Sequence, residues 1–347
     1  MRIFNVTQLR KLGTEIFRAV DVPDDEADLV TKLLVMANLQ GHDSHGVIRI
    51  PTYCQAIRNG QIRPGAKISI VRETANTALI DGKWGFGQSV ATQAMEIAIR
   101  KAERNDIGSV ALFNCNHVGR LWDYSVMAIE HDMIGIIVAS CRRVHVAPFG
   151  GREKMLGTNP LCIATPAGKM KPFILDMATS AVAEGKVRVS LHKKEMLSNE
   201  WIIDKEGRPS KNPADLYDGG ALLPLGGAVG YKGFGLGLAA EILGGTLSGF
   251  SFAHTKEFEI GNFLFLEALN ISSFTPINEF KGRMDDLIMA VKTSKTAPGY
   301  REILIPGELE FKTERIRLKE GIPIPETTWE ELAKTASELN LEVKKII

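Results

Sequence analysis

Two histidines, an aspartate and a serine stand between glycines in Gly41-His42-Asp43-Ser44-His45-Gly46, with Arg49 and Tyr53 following at helical spacing. Reactive side chains gathered between helix-breaking residues are the composition of a functional loop. Asp43 and Ser44 could simply cap the next helix, leaving the imidazoles in water. His42, Asp43 and His45 have the spacing to share a metal ion. The glutamate of a His-Glu-x-x-His helix is missing, however, and no cysteine pair offers further ligands, so no metal is expected. A serine nucleophile at Ser44 would lack the Gly-x-Ser-x-Gly elbow. What remains is general acid/base work by a histidine, with Arg49 one helical turn on to grip an anion, an outfit for a 2-hydroxy or 2-keto acid.

The elements that must position this loop read as helices. Upstream, Pro23 and the acids Asp24, Asp25 and Glu26 form a first turn, and Ala27, Val30, Leu34 and Ala37 keep the helical period until Gly41 stops it. Downstream, Asp43 or Ser44 is placed to cap a helix running through Ile48, Tyr53 and Ile57 to Gly60, with Pro51 tolerated near its start. An earlier helix carries Leu9, Leu12, Ile16 and Val20, so residues 1–62 form a helical module.

From about residue 68 short apolar runs alternate with amphipathic helices: strands over 77–80, 109–113 and 135–139, and a helix over 89–103. Gly85-Phe86-Gly87 invites a dinucleotide fingerprint. Its third glycine position is Val90, however, and the next strand runs into Asn114-Cys115-Asn116-His117 without a closing acid, so a Rossmann fold is not expected. Val90, Ala94, Ala98 and Ala102 form a small-residue stripe that predicts close packing on a sheet. Ala147-Pro148-Phe149-Gly150-Gly151 and Gly157-Thr158-Asn159-Pro160 are turns rich in backbone donors. Asp176 ends an apolar run, where an acid can orient a histidine or cap a helix. Residues 192–220 read as a polar surface excursion, and the glycine run 226–237, carrying Lys232, leads into a helix expected over 238–243 whose N-terminus suits a pyrophosphate. Helices over 279–293 and 327–339 and a strand ending at Pro306-Gly307 complete the chain.

With 42 Lys and Arg against 41 Asp and Glu, nothing electrostatic points to nucleic acid or an anionic membrane. The 347 residues, 44% hydrophobic, suffice for two cores, and no apolar run reaches about 18 residues. No signal peptide or membrane segment is visible, so a cytoplasmic protein is expected. Cys54, Cys115, Cys141 and Cys162 show no Cys-x-x-Cys spacing and read as small, reduced, buried residues.

Taken in order, Gly41–Gly46 with Arg49, Asn116-His117-Val118-Gly119-Arg120, Ala147–Gly151, Gly157–Pro160, Leu175-Asp176-Met177-Ala178-Thr179-Ser180 and Gly230-Tyr231-Lys232-Gly233 resemble the type 2 malate/lactate dehydrogenases. That family includes ureidoglycolate and sulfolactate dehydrogenases, diketogulonate reductases and piperideine-carboxylate reductases. The resemblance implies an α+β fold. A non-Rossmann nucleotide-binding domain, residues 71–284, with a mixed, largely antiparallel sheet, would be inserted between two parts of a helical domain, residues 1–70 and 285–347. It implies a homodimer with NAD or NADP as cofactor. The cofactor would lie against His45, His117, Ser140, Thr158, Asn159, Asp176, Met177, Ala178, Lys232, Gly233 and Arg301. Relatives of the piperideine-carboxylate reductase type use a Ser-His pair with a distant Asp, here Ser44, His45 and Asp176. Those of the ureidoglycolate type assign the base to the position of His117. Both histidines are present, and the resemblance does not choose between them. Arg49 would clamp the substrate carboxylate, with Tyr53 lining the same pocket.

Two departures bear on the substrate. Arg120 and Trp122 follow His117 where many malate-type relatives have small residues; the cation suits a dicarboxylate or sulfonate and the indole would shrink the pocket. The segment between residues 248 and 262 is short, and Ala228-Val229 lengthens the approach to Lys232. The expected activity is hydride transfer between a nicotinamide and a malate-, lactate-, sulfolactate- or ureidoglycolate-class acid. The alternatives are a cyclic imino acid reductase and a catalytically silent nucleotide-binding homologue.

Overall fold

A computed structural model describes residues 1–249 and 261–347. The chain opens with strand β1 (Arg2–Phe4) and helices α1 (Val6–Arg18), α2 (Asp24–Leu39) and α3 (Ile50–Arg58). A reciprocal cap starts α1, with Gln8 N donating to Asn5 Oδ1 at 2.8 Å and Asn5 N to Gln8 Oε1 at 3.0 Å. Leu9, Leu12, Ile16 and Phe17 then bury one face of it.

The sheet is built from β2 (Ser69–Glu73), β3 (Thr77–Asp81), β4 (Ile107–Cys115), β5 (Met133–Cys141), β6 (Leu161–Thr165) and β7 (Phe173–Met177), with α4 (Gly87–Asn105) and α5 (Trp122–Glu130) crossing over it. Beyond α6 (Glu184–Lys193) come three two-residue strands, β8 (Ile202–Ile203), β9 (Pro209–Ser210) and β10 (Ala221–Leu222). Helix α7 (Tyr231–Ala240), the long strand β11 (Asn262–Asn270), α8 (Ile277–Lys292), α9 (Glu308–Glu320), β12 (Ile322–Ile324) and α10 (Glu326–Glu338) follow. The large sheet has seven strands in the order β2-β3-β4-β11-β5-β6-β7. Only β3 and β4 run parallel. The expected mixed, largely antiparallel architecture is therefore observed.

The small-residue stripe of α4 lies fully buried on this sheet. A Cβ at Gly108 on β4 would come 1.9 Å from Ala98 O, so the helix approaches to a distance only glycine permits. The chain ends meet in a second core. There β1 pairs antiparallel with β12, Phe4 stacks on Trp329 at 4.7 Å, and α1 to α3 share apolar contacts with Ile322, Ile324, Leu332 and Ala336. The boundary expected between residues 284 and 285 falls inside α8.

Three local expectations are corrected, and one helix was not anticipated. Residues 192–220 are not merely a polar excursion: β8 to β10 form a small sheet over buried Leu197, Ile202, Leu216 and Leu222, apolar residues too sparse to show a period. Helix α7 begins inside the glycine run, not after it, although each helical glycine costs roughly 1 kcal/mol. The reason is contact, since a Cβ at Gly233 would lie 2.2 Å from Leu225 O and one at Gly237 2.9 Å from Thr179 Oγ1. No strand ends at Pro306-Gly307; that segment is attached to β7 by the single bond from Ile174 N to Pro306 O, 3.2 Å. Finally, α9 is a helix whose charged sequence, with no buried residue, carries no hydrophobic period.

Candidate active site

The loop after α2 does not cap α3. Gly41 takes the left-handed φ of +89° that ends α2, and two short 3-10 turns, Asp43–His45 and Val47–Arg49, lead into α3 with Pro51 in its first turn. Asp43 faces α9 instead of capping: Arg317 grips its carboxylate with two bonds of 2.7 and 3.1 Å, and Asn38 Nδ2 donates to it at 2.7 Å. Asn38 Oδ1 accepts Val47 N at 2.8 Å, and Arg317 also donates to Asn38 O. Two further α9 residues hold the loop, Glu314 accepting from Gln40 Nε2 at 2.8 Å and Glu310 lying 3.2 Å from His42 Nε2. Glu310, Glu314 and Arg317 share one face of α9 at i, i+4 and i+7.

Gly46 sits under this clamp, where a Cβ would lie 2.1 Å from Asn38 Oδ1. Gly46→Ala must therefore displace Asn38, releasing Val47 N and one bond to Asp43. The expected outcome is a loss of about 1–3 kcal/mol in urea unfolding together with lowered turnover. An unchanged unfolding midpoint would show that Asn38 is not held there.

Each histidine ring has its own partner on Nδ1. Ser44 Oγ lies 3.0 Å from His45 Nδ1, and Tyr53 OH lies 2.7 Å from His117 Nδ1. The two rings stack with centroids 5.7 Å apart and planes within 20°. Tyr53 also accepts Gln88 Nε2 at 2.9 Å, a contact that sequence spacing gave no means of finding. The His117 loop is pinned by Asn116 Nδ2, which donates to Trp84 O at 2.8 Å and Gly85 O at 3.0 Å, and by Val118 N donating to Asn262 Oδ1 at 3.1 Å. The glycines that mimic a dinucleotide fingerprint serve this packing: a Cβ at Gly87 would lie 2.2 Å from His117 O.

Burial first, and then the Arg49 charge, pushes the His45 imidazole down to about 3 and holds His117 well below its usual value. Both rings are thus neutral at pH 7 and able to take a proton. Burial lifts the Tyr53 phenol to about 12, so it stays protonated. Burial likewise raises Cys54 to about 12 and Cys141 to about 11, leaving no activated thiol at either position. Arg49 spends its Nε on Ser44 O at 2.7 Å, while its two terminal nitrogens have no hydrogen-bond partner among the described residues. A free guanidinium fork beside two neutral imidazoles can bind a carboxylate and exchange a proton on the adjacent carbon's oxygen.

Two expected site residues sit elsewhere. Arg120, 4% exposed, is bound by Gln40 Oε1 at 2.6 Å and by both oxygens of Asp123, so its guanidinium is engaged within the protein. Trp122 packs edge-to-face on Phe311 at 5.4 Å and belongs to the core. Asp176 reaches neither histidine. Its Oδ2 accepts Trp122 N at 2.8 Å, satisfying an orphan donor of the first turn of α5. Burial, opposed by that bond and by Arg120, raises its carboxyl above the ordinary range. The short segment between residues 248 and 262 lies almost wholly outside the described residues.

Comparison with known proteins decides the lineage. A family model described as malate/L-lactate dehydrogenase matches residues 4–333. The chain belongs to the malate/L-lactate dehydrogenase family. It is 42% identical to a malate dehydrogenase of Pyrococcus abyssi, across 98% of this chain and 93% of that protein. It is 40% identical to an L-sulfolactate dehydrogenase of Methanocaldococcus jannaschii, across 97% of each. The crystal structure of the delta1-piperideine-2-carboxylate reductase of Pseudomonas syringae pv. tomato superposes with a TM-score of 0.85 at 25% identity, covering 97% of this chain and 100% of that one.

Dehydrogenases of the malate/L-lactate dehydrogenase family use a nicotinamide cofactor, and most residues expected to hold it converge at one end of β5, β6 and β7. Thr179 N donates to Thr158 O at 3.0 Å, and Leu225 N to Thr179 O at 2.9 Å, drawing the approach to Lys232 and Gly233 onto the strand ends. Asn159 braces the cradle: Oδ1 accepts Cys141 N at 3.0 Å, and Nδ2 donates to Gly237 O at 3.0 Å and Glu241 Oε2 at 2.8 Å. Met177 closes the pairing of β7 with β6, and Ala178 follows it. Ser140 Oγ is buried without a partner, and Lys232 has no carboxylate partner among the described residues. An unspent hydroxyl and an unspent cation fit a polar, phosphate-bearing group. Arg301 lies exposed on the segment after α8, without an ion-pair partner among the described residues.

Proposed function

We propose that this protein is a nicotinamide-dependent 2-hydroxyacid dehydrogenase acting on a malate-, lactate-, sulfolactate- or ureidoglycolate-class acid or its keto form. The observation that carries this reading is the free fork of Arg49 beside the neutral, partnered rings of His45 and His117. Bound NAD or NADP supplies or accepts the hydride at the substrate carbon. The chain itself binds, orients and moves a proton. Arg49 fixes the carboxylate, and His117, with Nδ1 tied to Tyr53, has Nε2 left for the substrate oxygen.

Exposed Leu236, Leu238 and Ile242 around the end of the glycine run, and exposed Leu309, Ile316 and Leu318 on α9, support a homodimer that would cover part of this apolar surface. Among the described residues no helix is long and apolar enough to cross a membrane. Free thiols at Cys54, Cys115, Cys141 and Cys162 support a cytoplasmic location.

The test is a steady-state screen of malate, lactate, sulfolactate, ureidoglycolate and their keto forms with NAD(H) and NADP(H), with a cyclic imino acid included. Turnover of at least one hydroxy acid is expected. Reduction of the imino acid alone would favour the second reading, for which the Ser44–His45 pair speaks. Nicotinamide binding without any turnover would mark a silent homologue.

A further inference from the structure

Gln88 enters α4 in its first turn, is 1% exposed, and belongs to none of the motifs above. Its Nε2 lies 2.9 Å from Tyr53 OH, which lies 2.7 Å from His117 Nδ1, so amide, phenol and imidazole stand in line. Its Oε1 is buried with no hydrogen bond among the described residues, a state that folded proteins rarely keep. The phenol carries one proton, and the direction in which it points decides where the His117 proton sits. When Gln88 Nε2 donates to the Tyr53 oxygen, the Tyr53 proton points at His117 Nδ1, and the ring's own proton must occupy Nε2. That form cannot accept a proton from a substrate hydroxyl. Turning the amide over places Oε1 on Tyr53, which then donates to Gln88 and accepts Nδ1–H from His117. Nε2 is left with its lone pair, and the orphan oxygen is satisfied.

We propose that Gln88 is a positioning residue that sets the tautomer of His117 through Tyr53, and that its carbonyl facing Tyr53 is the arrangement competent for oxidising a hydroxy acid. In that arrangement the substrate O–H proton passes to His117 Nε2 as the carbon loses its hydride. The resulting imidazolium keeps its Nδ1–H on the Tyr53 oxygen, and neither Tyr53 nor Gln88 ionises. The catalytic half of this inference rests on the proposed function; the tautomer half does not.

The experiment therefore has two arms. Nitrogen-15 NMR of histidine-labelled protein at pH 8, with His117 assigned by comparison with His117→Asn, reads the tautomer without substrate. Wild type and Gln88→Glu are expected to show the Nδ1–H form, because both present an acceptor to Tyr53. Gln88→Met, which leaves the Tyr53 proton no other destination, is expected to show the Nε2–H form. In kinetics, Gln88→Met should lose at least about tenfold in kcat for oxidation with KM little changed, and Gln88→Glu should keep most of the activity. The same tautomer in all three proteins would overturn the proposal. Should Gln88→Met not fold, an Nε2–H form in wild type or Gln88→Glu would overturn it equally. A tautomer that moves while kcat does not would leave Gln88 in control of the ring and refute the proton role given to His117.

Discussion

Replacing His117 with alanine is expected to lower turnover of the best hydroxy acid by about a hundredfold to ten-thousandfold, the usual contribution of a general acid/base, while nicotinamide fluorescence still reports binding. His45→Ala should also reduce turnover, and the larger loss marks the proton carrier. The geometry favours His117, because its Nδ1 is fixed by a phenol that is itself fixed by Gln88, whereas His45 leans on a serine hydroxyl at 3.0 Å. The pH dependence has a definite sign. Burial and the Arg49 charge disfavour the imidazolium of His117, so the neutral base persists below the ordinary histidine range. The acidic limb of kcat/KM for oxidation should accordingly lie well below pH 6.5 in the free enzyme. Near-normal turnover in both variants would remove the histidines from the chemistry altogether.

The second large effect is expected at Arg49. Its terminal nitrogens have no hydrogen-bond partner among the described residues, and Ser44 O at 2.7 Å fixes the angle of the fork. A guanidinium makes two parallel bonds to a carboxylate, an ammonium only a point contact. Arg49→Lys should raise KM for the hydroxy acid while nicotinamide affinity stays nearly constant, and Arg49→Ala should be worse. The amide of the best substrate should lose little further activity in either variant. Removing the charge should also let His117 protonate more readily, moving the acidic limb upward. If acid and amide suffered alike and cofactor binding weakened, Arg49 would belong to the nucleotide site or the scaffold.

The helices flanking the loop and strands β3, β4 and β5 of the large sheet were legible because their apolar residues repeat with the right period, whereas β2, β6 and the central β11 were not read; the failed fingerprint at Val90 correctly pointed away from a Rossmann fold. Arg49 and the two histidines could be singled out because residue type and spacing alone limit what they can do. Partnership across the fold could not be read this way. Tyr53 meets His117 from 64 residues away, and Asp176, placed at a strand end as an orienting acid would be, serves the first turn of α5 instead. Arg120 looked like a substrate cation because it follows His117 in sequence, and its pairing with Asp123, three residues on, has no signature of its own. The ion pair that engages it is visible only once both are buried. Helix α9 escaped notice for the opposite reason: its work is done by charged residues, and charged residues leave no period to follow.

The grip of α9 on the loop from Gly41 to Gly46 also orders events in time. Asp43 is synthesised 274 residues ahead of its clamp Arg317. At about 5–20 residues per second, the loop would wait roughly a quarter of a minute to a minute for the helix that shapes it. A chain released before α9, even one holding every reactive side chain from Ser44 to Lys232, would carry those residues without the clamp that shapes their loop. The shape of the loop is therefore tied to the arrival of α9.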